Sequence, residues 1–208
     1  MTPVRSPMAT LVPLFIIQFL SWAGMFCLWI YAVPVIAGDV FHSGSDPARY
    51  GTALATVGGC YALYAILAAS LAFALPRALA RFGVRWVYGV GLLIGAAGIA
   101  ALGLIDQVTL LIPAFIAIGI GWSGVCNIPY GIVAAVAPEG RGAHLMRVFG
   151  FSTVVPQASM TLLLAFVGPR LTGESEHWVM VAGGGLMAAA GVLTLLMGGR
   201  FAVEQDEW

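Results

Sequence analysis

The sequence predicts an all-α integral membrane protein: a single domain of six transmembrane helices over residues 1–208, with both termini cytoplasmic. Three observations predict it. First, 61% of the residues are hydrophobic, only 9% are charged and the mean hydropathy is +0.98. A soluble domain carries about 25% charged residues and could not cover its exterior with so few. Second, six apolar stretches reach the ~20 residues needed to cross a hydrocarbon core. Third, the arginines fall on alternate connectors. With the N-terminus inside, Arg5, Arg77, Arg81, Arg85, Arg141, Arg147 and Arg200 are cytoplasmic, and only Arg49 and Arg170 are external. That asymmetry is the positive-inside signature.

The six spans follow in order, and their connectors hold nearly all the charge. Span one, about Ala9–Ala37, is too long and too interrupted by Gln18 and Ser21 to be a cleaved signal. Span two, about Gly51–Leu75, carries Tyr61, Tyr64 and Ser70. A basic connector, Pro76 to Arg85, leads to span three, Trp86–Ile105, whose interior is Gly, Ala, Leu, Ile and Val with Tyr88 as its polar residue. Asp106 and Gln107 turn the chain into span four, Val108–Ala137, which holds Pro113, Trp122, Ser123, Asn127, Pro129 and Tyr130. Span five, Leu145–Val167, carries Ser152, Thr153, Pro156, Gln157, Ser159 and Thr161, and span six, Trp178–Gly198, only Thr194. Trp86 and Trp178 at span ends fit an interfacial belt.

An amide or hydroxyl without a partner in hydrocarbon is costly, so polar spans should turn toward protein or water. Spans one, two, four and five are therefore expected to line an interior, and spans three and six to face lipid. Two polar spans and then an apolar one, twice over, is a weak 3+3 repeat. Gln18, Trp22, Met25 and Trp29 form one helical stripe, and Gly150, Thr153, Gln157 and Thr161 another. Asn127 and Tyr130 are neighbours beside the helix-breaking Pro129. The expected cavity-lining set is thus Gln18, Trp22, Trp29, Tyr61, Tyr64, Asn127, Tyr130, Thr153 and Gln157. Amides bond hydroxyls in both senses and aromatic faces stack on sugar rings, so such a cavity suits a neutral, sugar-like solute.

Other chemistry is poorly represented. Nine Arg balance nine Asp and Glu, which gives no basis for binding nucleic acid. Cys27, Cys60 and Cys126 read as buried thiols rather than a disulfide or metal framework. His42, His144 and His177 lie in separate connectors, and no nucleophile–base pair or intramembrane carboxylate pair occurs. Neither an enzyme nor a cofactor or metal site is expected. Gly119-Ile-Gly121-Trp-Ser-Gly124 matches a dinucleotide-binding pattern, but it lies inside an apolar helix and not after a strand. Close helix packing is the expected role there, and also for Gly91, Gly95 and Gly183-Gly184-Gly185. Arg77, Arg81 and Arg85 either hold helix C-terminal carbonyls or form a solvated loop.

The basic connector resembles the short cytoplasmic loop of the major facilitator superfamily. Gln18-Phe-Leu-Ser-Trp22 with Trp29-Ile-Tyr31 and Pro34, Gly119-Ile-Gly-Trp122 with Pro129-Tyr130, and Val155-Pro156-Gln157 resemble its sucrose and glycoside–cation symporter branch. The match, from about Leu11 to Gly199, is to the C-terminal six-helix half, a 3+3 inverted repeat. It departs at Arg147 and Gly150, where relatives usually carry Gly and Asn. The resemblance implies proton-coupled, alternating-access transport of a sugar or glycoside across the cell (inner or plasma) membrane. It also implies a partner: a second six-helix bundle, from either an N-terminal half or a second copy. A non-transporting assembly or regulatory module, or a truncated remnant, is the alternative.

Overall fold

The computed structural model describes residues 7–137, 140–166, 176–197 and 201. Arg5, Arg170, Glu174 and Arg200, and the distal ends of spans five and six, lie outside the described residues. Six helices are long and apolar enough to cross a membrane, the architecture of a multi-pass membrane protein, and no strand occurs among the described residues. The helices are α1 (Pro7–Val35), α2 (Pro47–Ala72), α3 (Leu75–Leu102), α4 (Leu111–Val136), α5 (Gly142–Phe166) and α6 (His177–Met197).

Local chemistry sets the helix ends. Past Pro34, α1 widens into a π-helical turn, Ile36–Val40, which carries the helix beyond the expected end at Ala37. Asp46 caps α2: its carboxylate accepts from the amides of Ala48 and Arg49, and Pro47 occupies the first turn, where no amide donor is needed. A one-turn 3₁₀ helix, Val108–Leu110, converts the Asp106–Gln107 connection into α4. Trp86 and Trp178 are both exposed, Trp178 in the first turn of α6 and Trp86 well inside α3 rather than at its end.

The basic connector is not the short turn expected from its charges. Helix α3 starts at Leu75, eleven residues before Trp86, and runs to Gly83, where the backbone kinks at φ 76°, ψ 158°. Pro76 favours the first turn, and Leu79, 5% exposed, anchors the segment while Arg77 and Arg81 on the other side stay in solvent. Glycine takes the kink because its φ is one that L side chains avoid.

Helix α3 packs against α6 and α4, α1 against α6 and α5, and α2 against α4, with a lighter crossing of α1 over α4. These principal pairs are unchanged when α1, α2 and α3 are exchanged for α4, α5 and α6. Helices α1 and α4 are the most enclosed, with 61% and 50% of their apolar windows buried, against 22% for both α2 and α5. The dinucleotide-like glycines are packing contacts. A Cβ on Gly119 would meet the Tyr64 carbonyl at 3.0 Å, and one on Gly121 would meet Gly95 Cα at 2.9 Å. Small residues of this kind let helix backbones approach closely in a bilayer. Gly185 is different, because it has nothing within 4 Å and is no part of the packing.

Candidate functional site

The α1–α4 crossing gathers an aromatic cluster. Trp22 and Trp29, two helical turns apart on α1, lie edge-to-face with ring centroids 5.7 Å apart. Trp122 of α4 sits 5.3 Å from each of them, and Phe26 is 5.3 Å from Trp29. These T-shaped contacts bring the electropositive ring edges against neighbouring π faces. Helix α2 adds two phenols. The Trp29 Nε1–H donates to the Tyr64 hydroxyl at 3.1 Å, and the Tyr61 hydroxyl donates to the Leu28 carbonyl at 3.1 Å. Tyr61 and Tyr64 also flank Phe115 of α4. Trp22, Trp29, Tyr61 and Tyr64 of the expected lining set are therefore joined in one place. The three indoles are half-buried, and Trp22 Nε1 is buried without a hydrogen-bond partner.

The other expected residues are distributed differently. Gln18 is 0% exposed and accepts from the Tyr88 hydroxyl of α3 at 3.5 Å, a long contact. It lies inside the bundle against a neighbouring helix and not on an open cavity wall. Tyr88 is itself fully buried, so α3 is not the purely lipid-facing span its composition suggested. Asn127 turns outward, and its amide donates to the Ser123 carbonyl one turn back at 2.8 Å. Tyr130 packs edge-on against Phe149 of α5, which packs in turn against Phe15, each at 5.3 Å. Thr153 donates to the Gly150 carbonyl and Thr161 to the Gln157 carbonyl, both at 2.8 Å, so these hydroxyls are satisfied on their own helix. Gln157 is partly exposed beside them.

Arg77, Arg81 and Arg85 are all exposed, and none bonds a helix carbonyl among the described residues. The guanidiniums of Arg81 and Arg85 lie 5.3 Å from the rings of Phe82 and Trp86. Neither reading of this connector holds as stated: the arginines are exposed, but on the first turns of helix α3 rather than in a loop.

Trp122 is the residue the candidate set omitted, although the sequence carries a signal for it. Pro13-Leu-Phe15-Ile16 followed by Trp22-Ala-Gly24 recurs as Pro113-Ala-Phe115-Ile116 followed by Trp122-Ser-Gly124, with a constant offset of 100 residues. Trp22 and Trp122, 100 positions apart in the sequence, touch across the α1–α4 crossing. No protein-family model, curated protein or solved structure matches this chain.

Proposed function

We propose that this chain is one half of an alternating-access transporter for a small, neutral, hydroxylated solute of the sugar or glycoside class, resembling the C-terminal bundle of a major facilitator symporter. The observation that carries the reading is the indole cluster of Trp22, Trp29 and Trp122 at the crossing of two repeat-related helices. The exchange-invariant helix packing and the 100-residue offset both support a 3+3 repeat. In an inverted repeat the exchange axis lies in the membrane plane, and transporter sites gather near mid-depth at the repeat interface. Indole faces suit the apolar face of a sugar ring, and an unpartnered indole N–H suits a hydroxyl. No charged residue joins the cluster, which favours a neutral solute.

A single bundle cannot rock against itself, so a second one completes the pathway. An even number of spans places both termini on one side, cytoplasmic by the arginine count, and lets two copies pair about an axis along the membrane normal. The largely exposed α2 and α5, each packed against one principal neighbour, carry the most uncovered surface for that contact. Asp39, exposed in the π-helical turn that ends α1, is the one Asp or Glu among the described residues of the six helices, so a second bundle other than a copy of this chain is the source of any further coupling acid. Reconstitution tests the reading. Liposomes carrying the purified chain, cross-linked to report its dimer, should take up a radiolabelled disaccharide or aryl glucoside saturably. Vesicles that contain the dimer yet accumulate no more solute than protein-free vesicles overturn it.

A further inference from the structure

The α2–α3 junction presents a patch that transport does not use. Arg77, Arg81 and Arg85 are exposed, and none joins an ion pair among the described residues, where Arg49–Asp46 is the one salt bridge. No Asp or Glu occurs between Asp46 and Asp106, so α2 and α3 hold no carboxylate to offset the three charges. Three large apolar side chains share this end: Phe73 is 82% exposed, Phe82 58% and Trp86 54%. The guanidiniums of Arg81 and Arg85 lie against the rings of Phe82 and Trp86. Bare rings are costly in water, and unpaired like charges repel one another. A surface that is apolar on one side and anionic on the other relieves both.

The kink at Gly83 fixes the depth. Beyond it, α3 from Val84 to Leu102 rises about 28 Å, close to the ~30 Å of a hydrocarbon core. The segment from Leu75 to Phe82 then lies past the core, among the headgroups. Leu79 is its buried side, and Arg77 and Arg81, one turn apart, lie opposite. Trp86, the third residue past the kink, is at the depth where indoles anchor. Guanidiniums grip phosphate oxygens in pairs, and Arg side chains next to an anionic leaflet are attracted to it. We propose that the segment Phe73–Trp86 is a docking site for anionic phospholipid, with the headgroup phosphate held by Arg77, Arg81 and Arg85 and the acyl chains against Phe73, Phe82 and Trp86. An acidic protein segment would match the charges but leave the rings, at this depth, without a partner. The assignment is independent of the transported solute.

The test captures radiolabelled phosphatidylglycerol on the immobilised chain in an uncharged detergent. The competitors are unlabelled phosphatidylglycerol, phosphatidylcholine, inorganic phosphate and a polyglutamate peptide. Unlabelled phosphatidylglycerol should displace the label at least about tenfold better than any of the other three, and about 0.5 M salt should weaken its binding severalfold. Combining Arg77→Gln, Arg81→Gln and Arg85→Gln should cost about a hundredfold in affinity. Arg49→Gln, at the opposite end of α2, should cost nothing. Circular dichroism checks that both variants keep wild-type helicity. Displacement by phosphatidylcholine, phosphate or polyglutamate as strong as by phosphatidylglycerol overturns the proposal. So does a triple variant that binds like wild type, or an Arg49 variant that loses as much. Wild-type binding indifferent to salt, a measurement that needs no variant, overturns it as well.

Discussion

Gly184→Leu should destabilise the bundle by about 3 kcal/mol or more, whereas Gly185→Leu, one residue away, should stay within about 0.5 kcal/mol of wild type. A Cβ at Gly184 would lie 2.7 Å from Ala100 Cβ, 2.8 Å from the Ala100 nitrogen and 2.8 Å from the Ala96 carbonyl. Two of those three atoms are backbone, so no rotamer change can relieve the overlap, and α3 and α6 must separate. Gly185 has nothing within 4 Å. Both substitutions gain helix propensity equally and both enlarge the same helix, so the difference isolates the packing contact. In a bilayer that contact is what holds helices together, because lipid tails are as apolar as leucine. Thermal unfolding of the purified proteins in detergent measures the pair. Equal midpoints would mean that α3 and α6 do not meet along this seam.

Trp122→Ala should weaken glucoside binding by about a hundredfold, toward the upper end of what a lost aromatic stacking partner costs. Trp122 touches both α1 indoles, so its removal takes away a stacking surface and loosens the two that remain. Trp178→Ala, at an exposed position far from the cluster in the chain, should leave affinity unchanged. Fluorescence titration reads both, with Trp22 and Trp29 as the reporters in the Trp122 variant. Equal loss in the two variants would disconnect the cluster from recognition.

The six spans were legible because bilayer crossing imposes a length and a polarity that composition alone reveals. Helical spacing also placed Trp22 and Trp29 on one face, and the structure stacks them. Spacing fixes a face but not the helix opposite. Gln18 shares the stripe of Trp22, yet meets Tyr88 of α3 inside the bundle, a contact between residues 70 positions apart that no local pattern encodes. Thr153 and Asn127 satisfied themselves on their own helices, an option that residue type announces without saying when it is taken. The early start of α3 was hidden by Arg77 and Arg81, whose charge reads as a span end even when Leu79 gives the segment a buried side. Trp122 could have been found by matching α1 against α4, because Pro13, Phe15, Trp22 and Gly24 recur 100 residues later as Pro113, Phe115, Trp122 and Gly124.

Solvent access at Asn127 of α4 and Gln157 of α5 is the most direct test of whether these polar positions meet water and a second bundle. With Cys27, Cys60 and Cys126 replaced by alanine, Asn127→Cys and Gln157→Cys are each labelled in proteoliposomes with a charged, membrane-impermeant maleimide, alongside Val192→Cys, at an exposed position of α6 away from the proposed bundle contact, as the reference. Rapid labelling at 127 and 157, slowed by added glucoside, and none at 192 is the expected result. Reaction at all three positions only with a lipid-soluble maleimide, at similar rates and indifferent to sugar, would contradict the account.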